Sequence, residues 1–329
     1  MTNEACAIVV STRDRFSSTS ECLDRLLAHT PETHDIIVVA GGASEQTRNL
    51  WRDRFGNRVR FIFEPHFLNQ AQARNIGLRA VTCRFAVVMD NDVFVRAGWL
   101  RELLECQRDT GAVMVVPLIL EAEQRIHAAG NSLYITYESG RAFGHKELRF
   151  HGMPYVESSN LKRERVDYGE LHCQLVEVEP TLRLRAFDEK ILEVGEVDSG
   201  LTWAKAGHTM WFTPSSVVHY RLGGPITVED IRLFEWRWNM RSILKGYLYF
   251  ERKWGLDITE QGRFRSFLLH YNSQLGLLPR LFPSTKALRL DNGLARLFGA
   301  VVKPLWAPRS LLSNLQAWRI GYFDWPPSR

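Results

Sequence analysis

Two aspartates separated by one residue are the side chains of this sequence best suited to chemistry. Asp90 and Asp92 flank Asn91, and they directly follow the run F-A-V-V-M at Phe85–Met89. A short apolar run containing β-branched residues predicts a strand that is buried on both faces. The sequence therefore places two carboxylates where a buried strand is expected to reach the surface.

Paired carboxylates at a strand end are suited to holding a hard divalent cation. In open α/β sheets, ligands bind in the crevice outside the carboxyl ends of the strands. Mg²⁺ and Mn²⁺ take oxygen ligands and are usually bound by one or two carboxylates together with substrate phosphates. An acidic turn that only ends a strand would show the same D-N-D, so the motif alone leaves both interpretations open.

The elements before the aspartates alternate between strand and helix. Apolar runs predict strands at Ala7–Val10, Ile36–Val39 and Val59–Phe63, and Ser11–Arg15 is the loop after the first strand. Helical spacing and cap residues predict the helices Thr19–His29, Ser44–Arg54 and Gln70–Ala80. The β-α-β order predicts an α/β fold with a parallel sheet.

Composition and missing motifs exclude several classes of protein. The chain has 329 residues, of which 45% are hydrophobic and 24% charged, as in ordinary globular proteins of one or two domains. Five scattered cysteines without C-x-x-C indicate neither a disulfide framework nor a zinc knuckle. The absence of G-x-G-x-x-G and of G-x-x-x-x-G-K disfavours dinucleotide and P-loop chemistry. No signal sequence or membrane span is predicted, and we expect a reducing, cytoplasmic location.

The character of the chain changes near Pro225. Residues 221–329 contain 17 Lys/Arg against 8 Asp/Glu. Helical spacing predicts one long helix, or two joined at Gly246, between Ile231 and Trp254, and later helices at Phe264–Leu275, Thr285–Phe298 and Leu311–Ile320. A basic, Trp-rich region suits peripheral contact with an anionic membrane, but core packing of a small helical domain explains the same aromatic residues with less assumption. Nucleic acid is not expected as a partner, because no reading motif accompanies the charge.

A series of motifs keeps its order and spacing over roughly residues 6–220. They are I-V-V-S-T-R-D-R with C-L-x-x-L-L, I-I-V-V, A-R-N-I-G-L, V-V-M-D-N-D-V-F-V-R-A-G-W-L, F-D-E, G-E-V-D, K-A-G-H and P-S-S-V-V-H. Together they resemble the nucleotide-sugar-dependent glycosyltransferases of family 2. The resemblance implies the GT-A fold, Rossmann-like, with a mainly parallel central sheet flanked by helices.

The resemblance also implies a domain organisation and an activity. Residues 1–224 would form the GT-A domain, with a nucleotide-binding half at about 1–120 and an acceptor half at about 121–224, followed by a helical extension at 225–329. The implied reaction is inverting, dependent on Mn²⁺ or Mg²⁺, and transfers a sugar from a nucleotide-sugar donor to a glycan, lipid-linked or small-molecule hydroxyl acceptor.

Several residues match motif positions that contact the cation in the family. The resemblance implies that Asp90 and Asp92 form the D-x-D pair of the metal site, with Asp92 the more direct ligand and Asp90 closer to the ribose and the phosphates. His219 closes an apolar strand at the place where some relatives have a further metal ligand. A histidine that is only hydrogen-bonded at a strand end would look the same, so its role stays open.

Other positions match the donor pocket of the family. The resemblance implies that Ser11, Thr12 and Arg13 line the nucleoside pocket and that Arg74 reaches the nucleotide. Relatives usually carry an aspartate after the second strand to bind the base, whereas this chain has Ala40. A uracil-specific contact is therefore in doubt.

The catalytic base is the second departure from the family pattern. Relatives have Glu-Asp near a helix start, and the aspartate is the general base, whereas this chain has G-E-V-D at Gly195–Asp198. Counting back from Ala206-Gly207 favours Glu196, and Asp198 is the second candidate. Both acids would also suit the N-terminus of a helix beginning near Ser199 without any catalytic role.

Two other classes of protein remain open from the sequence. A sugar nucleotidyltransferase shares the sheet and the metal, but its first loop is expected to be Gly-rich, and Ser11–Arg15 is not. A non-catalytic carbohydrate-binding or scaffold protein on a decayed transferase fold would explain the altered base region.

The glycines and aromatic residues between Leu120 and Val176 are expected near the acceptor, although a β-rich edge with ordinary turns explains them as well.

Overall fold

The structure is a computed structural model that describes residues 6–31, 33–121, 124–156, 161–221 and 226–258. The three helices predicted after residue 260 lie outside the described residues, as does most of the basic, Trp-rich region. The described chain divides into two compact units, one made of Met1–Tyr134 with Lys146–Leu222 and the other of Ile135–His145 with Gly223–Arg329.

The described strands and helices are as follows. The strands are β1 Cys6–Ser11, β2 Ile36–Gly41, β3 Val59–Glu64, β4 Phe85–Asp90, β5 Val93–Val95, β6 Met114–Glu121, β7 Arg125–Ala128, β8 Asn131–Glu138, β9 Arg141–Leu148, β10 Glu164–Arg165, β11 Cys173–Glu177, β12 Met210–Tyr220 and β13 Leu256–Asp257. The helices are α1 Thr19–His29, α2 Glu45–Phe55, α3 Gln70–Arg79, α4 Trp99–Thr110, α5 Val178–Arg183, α6 Gly195–Lys205, α7 Ile231–Arg237 and α8 Met240–Trp254.

The first unit is built on a mixed sheet with the order β10-β12-β6-β11-β4-β1-β2-β3. Strands β4, β1, β2 and β3 run parallel, and β6 is parallel to β12. Strand β11 is antiparallel to both β4 and β6, which joins the two parallel groups. The predicted α/β architecture with a mainly parallel sheet is confirmed, and the antiparallel strand at its centre is an addition that the β-α-β pattern did not predict.

The strands read as continuous apolar runs because both faces of the sheet are covered. Along β1, Ile8 and Val10 enter one core with residues of α1 and α4, whereas Val9 enters a second core with residues of α3. Helix α3 lies so close to β1 that a Cβ at Gly77 would be 2.2 Å from Cγ1 of Val9. The glycine of A-R-N-I-G-L therefore sets how closely this helix approaches the sheet.

The three helices predicted before Asp90 are confirmed. Helix α1 has the predicted bounds, and Ser44 caps α2 by accepting a hydrogen bond from the amide of Thr47. Helix α3 begins with a capping box in which Asn69 and Gln72 satisfy each other's backbone amides. Helix caps depend on residues only a few positions apart, so they can be recognised in the sequence.

The described part of the second unit contains the tip of the β8–β9 hairpin, α7, α8 and β13. Strand β13 extends the hairpin by pairing Leu256 with Ala142, and Arg141 lies 3.2 Å from Asp257. The alternative of two helices joined at Gly246 is wrong, because the break falls at Asn239. The side chain of Asn239 accepts a hydrogen bond from the amide of Ser242 and so starts α8. Among the described residues, no helix is long and apolar enough to cross a membrane.

Candidate active site

The candidate site lies where β4 ends between its two neighbours. Ser11, the last residue of β1, is in register with Asp90, and Cys173, the first residue of β11, is in register with Met89. The parallel strand brings its carboxyl end to this place, and the antiparallel strand brings its amino end. Side chains from β1 and β4 and from the residues just before β11 therefore meet at one corner of the sheet.

Asp90 is held by hydrogen bonds from several directions. Its Oδ1 accepts from Arg74 at 2.7 Å and from Ser11 at 3.3 Å. Its Oδ2 accepts from His172 Nδ1 at 3.1 Å and from Gln70 at 3.5 Å. Each carboxylate oxygen has partners, so Asp90 is fixed in place, and it belongs with Asp92 and His172 to a group of side chains that could hold a metal ion.

The charge state of Asp90 follows from these partners. Burial alone would raise the pKa of the carboxyl, but Arg74, His172 and Arg13 together lower it to about 2. Asp90 is therefore ionised at neutral pH. The same burial, together with the positive charge of Arg13, lowers the pKa of His172 to about 3, so its imidazole is neutral.

Asp92 has the opposite surroundings. It is fully buried, and neither carboxylate oxygen has a hydrogen-bond partner among the described residues. Its nearest cations are Arg13 at 3.9 Å and Arg15 at 3.8 Å, which is too long for a hydrogen bond. Burial raises the pKa of Asp92 to about 7, with Asp90 raising it further against the effect of Arg13. A buried carboxylate without hydrogen bonds is costly, and the two guanidinium groups compensate that cost only in part.

The expectation that the two carboxylates surface at the strand end is wrong, because Asp90, Asn91 and Asp92 are all fully buried. Asn91 explains why. Its Nδ2 donates to the carbonyl of Arg15 at 2.7 Å, and its Oδ1 accepts from the amide of Arg13 at 3.1 Å. The middle residue of D-N-D thus fixes the loop after β1 on top of the acidic pair.

The predicted donor-pocket residues fall at this corner. Arg13 lies 3.8 Å from Asp90 and donates a hydrogen bond to the hydroxyl of Tyr220. Thr12 is buried next to it, and its amide contacts the carbonyl of Val39 at the neighbouring strand end. Ser11, Thr12, Arg13, Arg74 and Asp90 are therefore brought together. This places three positive side chains, counting Arg15, beside the acidic pair.

His219 is not part of this group. Asp90, Asp92 and His172 have ligand atoms that all lie within 4.8 Å of one another, and no such group among the described residues includes His219. Its strand neighbour Tyr220 contacts Arg13, and successive side chains of a strand point to opposite faces. Burial, with Arg96 and Arg25, lowers the pKa of His219 to about 4. The prediction of a metal ligand at His219 is therefore replaced by His172 as the histidine beside the acids.

The two candidate bases lie in the first turn of α6, which begins at Gly195 and not near Ser199. Glu196 is partly exposed and accepts a hydrogen bond from Lys146 Nζ at 2.9 Å. Burial raises its pKa, but Lys146 lowers it more, so the net shift is downward. Asp198 is fully buried. Of the two acids, only Glu196 is partly exposed to solvent.

The end of β2, where relatives carry the base-binding acid, is closed by the loop after β3. Ala40 is fully buried, and a Cβ at Gly41 would lie 2.3 Å from the carbonyl oxygen of His66. At Gly42, which has a φ of 72°, a Cβ would lie 2.4 Å from the ring of Phe67. The two glycines let the loop after β3 pack against this strand end.

Several residues at the site were not selected from the sequence. They are Asn91, His127, Lys146, Glu170, His172 and Tyr220. His127 comes from β7 and Lys146 from β9, whereas Glu170 and His172 precede β11. His172 directly precedes an apolar run. It could have been selected from the sequence if that run had been assigned to an antiparallel strand beside β4.

Comparisons with known proteins agree with this architecture. The family model described as glycosyl transferase family 2 matches residues 7–160. A solved structure of GalNAc-T7 with UDP, GalNAc and Mn²⁺ superposes with a TM-score of 0.53 at 15% identity, covering 81% of this chain and 55% of that one. The fold is therefore GT-A. Residues 7–160 form a glycosyltransferase family 2 domain, which confirms the family inferred from the motifs.

Curated relatives match over shorter segments. The pre-mycofactocin glycosyltransferase of Mycobacterium tuberculosis is 39% identical over 62 residues, covering 19% of this chain and 13% of that protein. The glycosyltransferase GlyG of Streptococcus pneumoniae serotype 4 is 24% identical over 117 residues, covering 35% of this chain and 38% of that protein. The chain thus spans less than half the length of these relatives.

Proposed function

We propose that this protein is an inverting, metal-dependent glycosyltransferase. It transfers a sugar from a nucleotide-sugar donor to a hydroxyl acceptor in glycan, polysaccharide or glycoconjugate synthesis. Its family membership supports sugar transfer, and the geometry of the corner at the end of β4 supports the metal, the donor and the base.

The observation that supports the proposal most strongly is the environment of Asp92. Asp90 next to it accepts several hydrogen bonds, whereas both oxygens of Asp92 are buried and accept no hydrogen bond from the described residues. An Mg²⁺ or Mn²⁺ ion bound by Asp92 would satisfy these oxygens, and such ions usually complete their coordination with water and substrate phosphates. Bound there, the cation would stabilise charge on the leaving diphosphate.

The arginines around the acidic pair suit the phosphates of the donor. Arg74 is buried and holds Asp90, while Arg13 and Arg15 lie just under 4 Å from Asp92. Guanidinium groups recognise phosphate oxygens with two parallel hydrogen bonds. In this proposal, Ser11, Thr12 and Arg13 line the nucleoside pocket and the arginines attract the diphosphate.

Glu196 is the proposed general base. An acceptor hydroxyl has a high pKa, so a carboxylate must remove its proton as the oxygen attacks the anomeric carbon. Lys146 keeps Glu196 ionised, as a proton acceptor requires. Attack from the side opposite the departing diphosphate inverts the anomeric centre. Asp198 remains the alternative base, although its burial separates it from solvent.

The first experiment is a screen for the donor. UDP-, GDP- and dTDP-sugars are tested by thermal unfolding with and without Mn²⁺, since a ligand that binds the native state raises its stability. We expect one nucleotide class to raise the melting temperature only when Mn²⁺ is present. Mn²⁺-dependent hydrolysis of that donor then tests for turnover. If no sugar nucleotide shifts unfolding and none is hydrolysed, the proposal is wrong.

A further inference from the structure

A second group of metal-binding side chains lies next to the acidic pair. A ring nitrogen of His127, a ring nitrogen of His172 and a carboxylate oxygen of Glu170 all lie within 4.8 Å of one another. His172 is buried, and the other two residues are half-buried. Two imidazoles and one carboxylate are a ligand set that several zinc and iron enzymes use.

Both histidines are held in the form that a metal ligand needs. Nδ1 of His172 lies 3.1 Å from Asp90 Oδ2, and Nδ1 of His127 lies 3.1 Å from Glu121 Oε2. An ionised carboxylate can only accept a hydrogen bond, so each Nδ1 carries the proton. Each Nε2 is then left with a free lone pair. A carboxylate behind a histidine is the usual support of a metal-ligating imidazole.

The surroundings fix the two rings and leave the third ligand unused. The ring of Tyr220 stacks on His172 with centroids 3.9 Å apart and packs against His127 at 4.9 Å. The carboxylate of Glu170 makes no hydrogen bond or ion pair with the residues that the structure describes. Two oriented imidazoles therefore lie beside a carboxylate whose charged neighbours include Lys146 and Glu196.

We propose that His127, Glu170 and His172 form a second divalent-metal site, distinct from the one at Asp92. Imidazole nitrogens favour transition ions such as Zn²⁺, Co²⁺ and Mn²⁺ over Mg²⁺ and Ca²⁺, which prefer oxygen ligands. The two groups share His172, whose Nδ1 is hydrogen-bonded to Asp90. This inference does not depend on the reaction that the protein catalyses.

The test is a Co²⁺ titration of the full-length chain in the Asp92→Asn background, which removes the proposed site at Asp92. Bound metal is counted by equilibrium dialysis, and visible absorption reports nitrogen-ligated Co²⁺. We expect one Co²⁺ per chain, displaced by Zn²⁺ but not by a large excess of Mg²⁺. Adding Glu170→Gln or His127→Gln should abolish this binding and its absorption band.

Two further variants separate ligation from general damage to the fold. Glu121→Gln keeps all three ligands and should weaken Co²⁺ binding by roughly 10–100-fold, the usual effect of losing the group behind a ligating histidine. His66→Gln changes an exposed histidine outside the group and should bind Co²⁺ normally. Thermal unfolding checks that each variant is folded.

The proposal is overturned if the Asp92→Asn protein binds no Co²⁺. It is equally overturned if Co²⁺ binding persists unchanged in both the Glu170→Gln and the His127→Gln variants. If one of those variants fails to fold, the Glu121→Gln variant replaces it as the test. An unchanged Co²⁺ affinity in Glu121→Gln would contradict the proposal that His127 is oriented to bind a metal. If the wild-type protein binds one Co²⁺ and the Asp92→Asn variant binds none, the two groups form one site and the proposal of a second site is wrong.

Discussion

The two sides of the acidic corner are built differently. On the parallel side, Ser11 and Arg74 donate hydrogen bonds to Asp90, and Arg13 lies 3.8 Å from it. On the antiparallel side, His127, Glu170 and His172 come from β7 and from the residues before β11, and they bring imidazoles and a carboxylate. The parallel side brings guanidinium groups, which suit phosphates, whereas the antiparallel side brings side chains that suit a cation.

In the proposed transferase, this difference separates the groups that bind the donor phosphates from the groups that bind a cation. Asp90 accepts hydrogen bonds from both sides, and Asp92 next to it accepts none within the described residues. One aspartate therefore organises the corner and the other remains for a ligand. The following predictions probe the two sides in order of expected effect.

The largest effect is expected at Asp92. Asp92→Asn removes the carboxylate charge without changing the size of the side chain, and we expect Mn²⁺-dependent transfer to fall on the order of 10³-fold. A bound cation contributes several kcal/mol of charge stabilisation, and about 1.4 kcal/mol corresponds to tenfold in rate. Initial rates at saturating Mn²⁺ measure this. Asp53→Asn, at an exposed position of α2, is the control and should keep the normal rate.

Glu196→Gln should remove turnover and leave donor binding intact. Loss of a general base costs roughly 10²–10⁴-fold in rate. Single-turnover rates and donor affinity, measured on the same sample, separate the two effects. Glu179→Gln, an exposed acid on α5, serves as the control. A normal rate in Glu196→Gln would move the base assignment to Asp198.

Asn91→Ala tests how the loop after β1 is fixed. Asn91 donates to the carbonyl of Arg15 and to the hydroxyl of Thr19, and it accepts from the amide of Arg13. Leaving buried partners unpaired costs about 1–3 kcal/mol, so the free energy of unfolding should fall by that amount. Urea denaturation measures it. Asn49→Ala, exposed on α2, should change stability little, and equal stability of the two variants would show that Asn91 does not hold the loop.

The smallest effect is a change in pH dependence. Lys146 lowers the pKa of Glu196, so Lys146→Met should raise that pKa. A base works only when deprotonated, and activity rises with pH through its pKa. The acidic limb of the kcat/KM profile should therefore move to higher pH. Lys205, exposed at the end of α6, is the control position, and Lys205→Met should not move the acidic limb. If Lys146→Met does not move the acidic limb either, Glu196 is not the group that titrates.

The same division explains how much the sequence could predict. The parallel side follows from local patterns, since the strand ends, the caps at Ser44 and Asn69 and the D-N-D all act within a few residues. The antiparallel side depends on pairing over long range, such as Cys173 with Met89, and no local signal encodes such a register. His172 was missed for that reason. His219 was selected by motif position alone, which says nothing about the face of the strand from which it points.

The most direct test of the central claim is the dependence of nucleotide binding on Mg²⁺, an ion that the proposed histidine site should not take. Calorimetric titration with UDP, GDP and dTDP compares the wild-type protein with Asp92→Asn, with and without Mg²⁺. We predict that Mg²⁺ strengthens binding of one diphosphate at least tenfold in the wild type and has no effect in the variant. Equal strengthening by Mg²⁺ in both proteins would contradict the claim that Asp92 holds the cation.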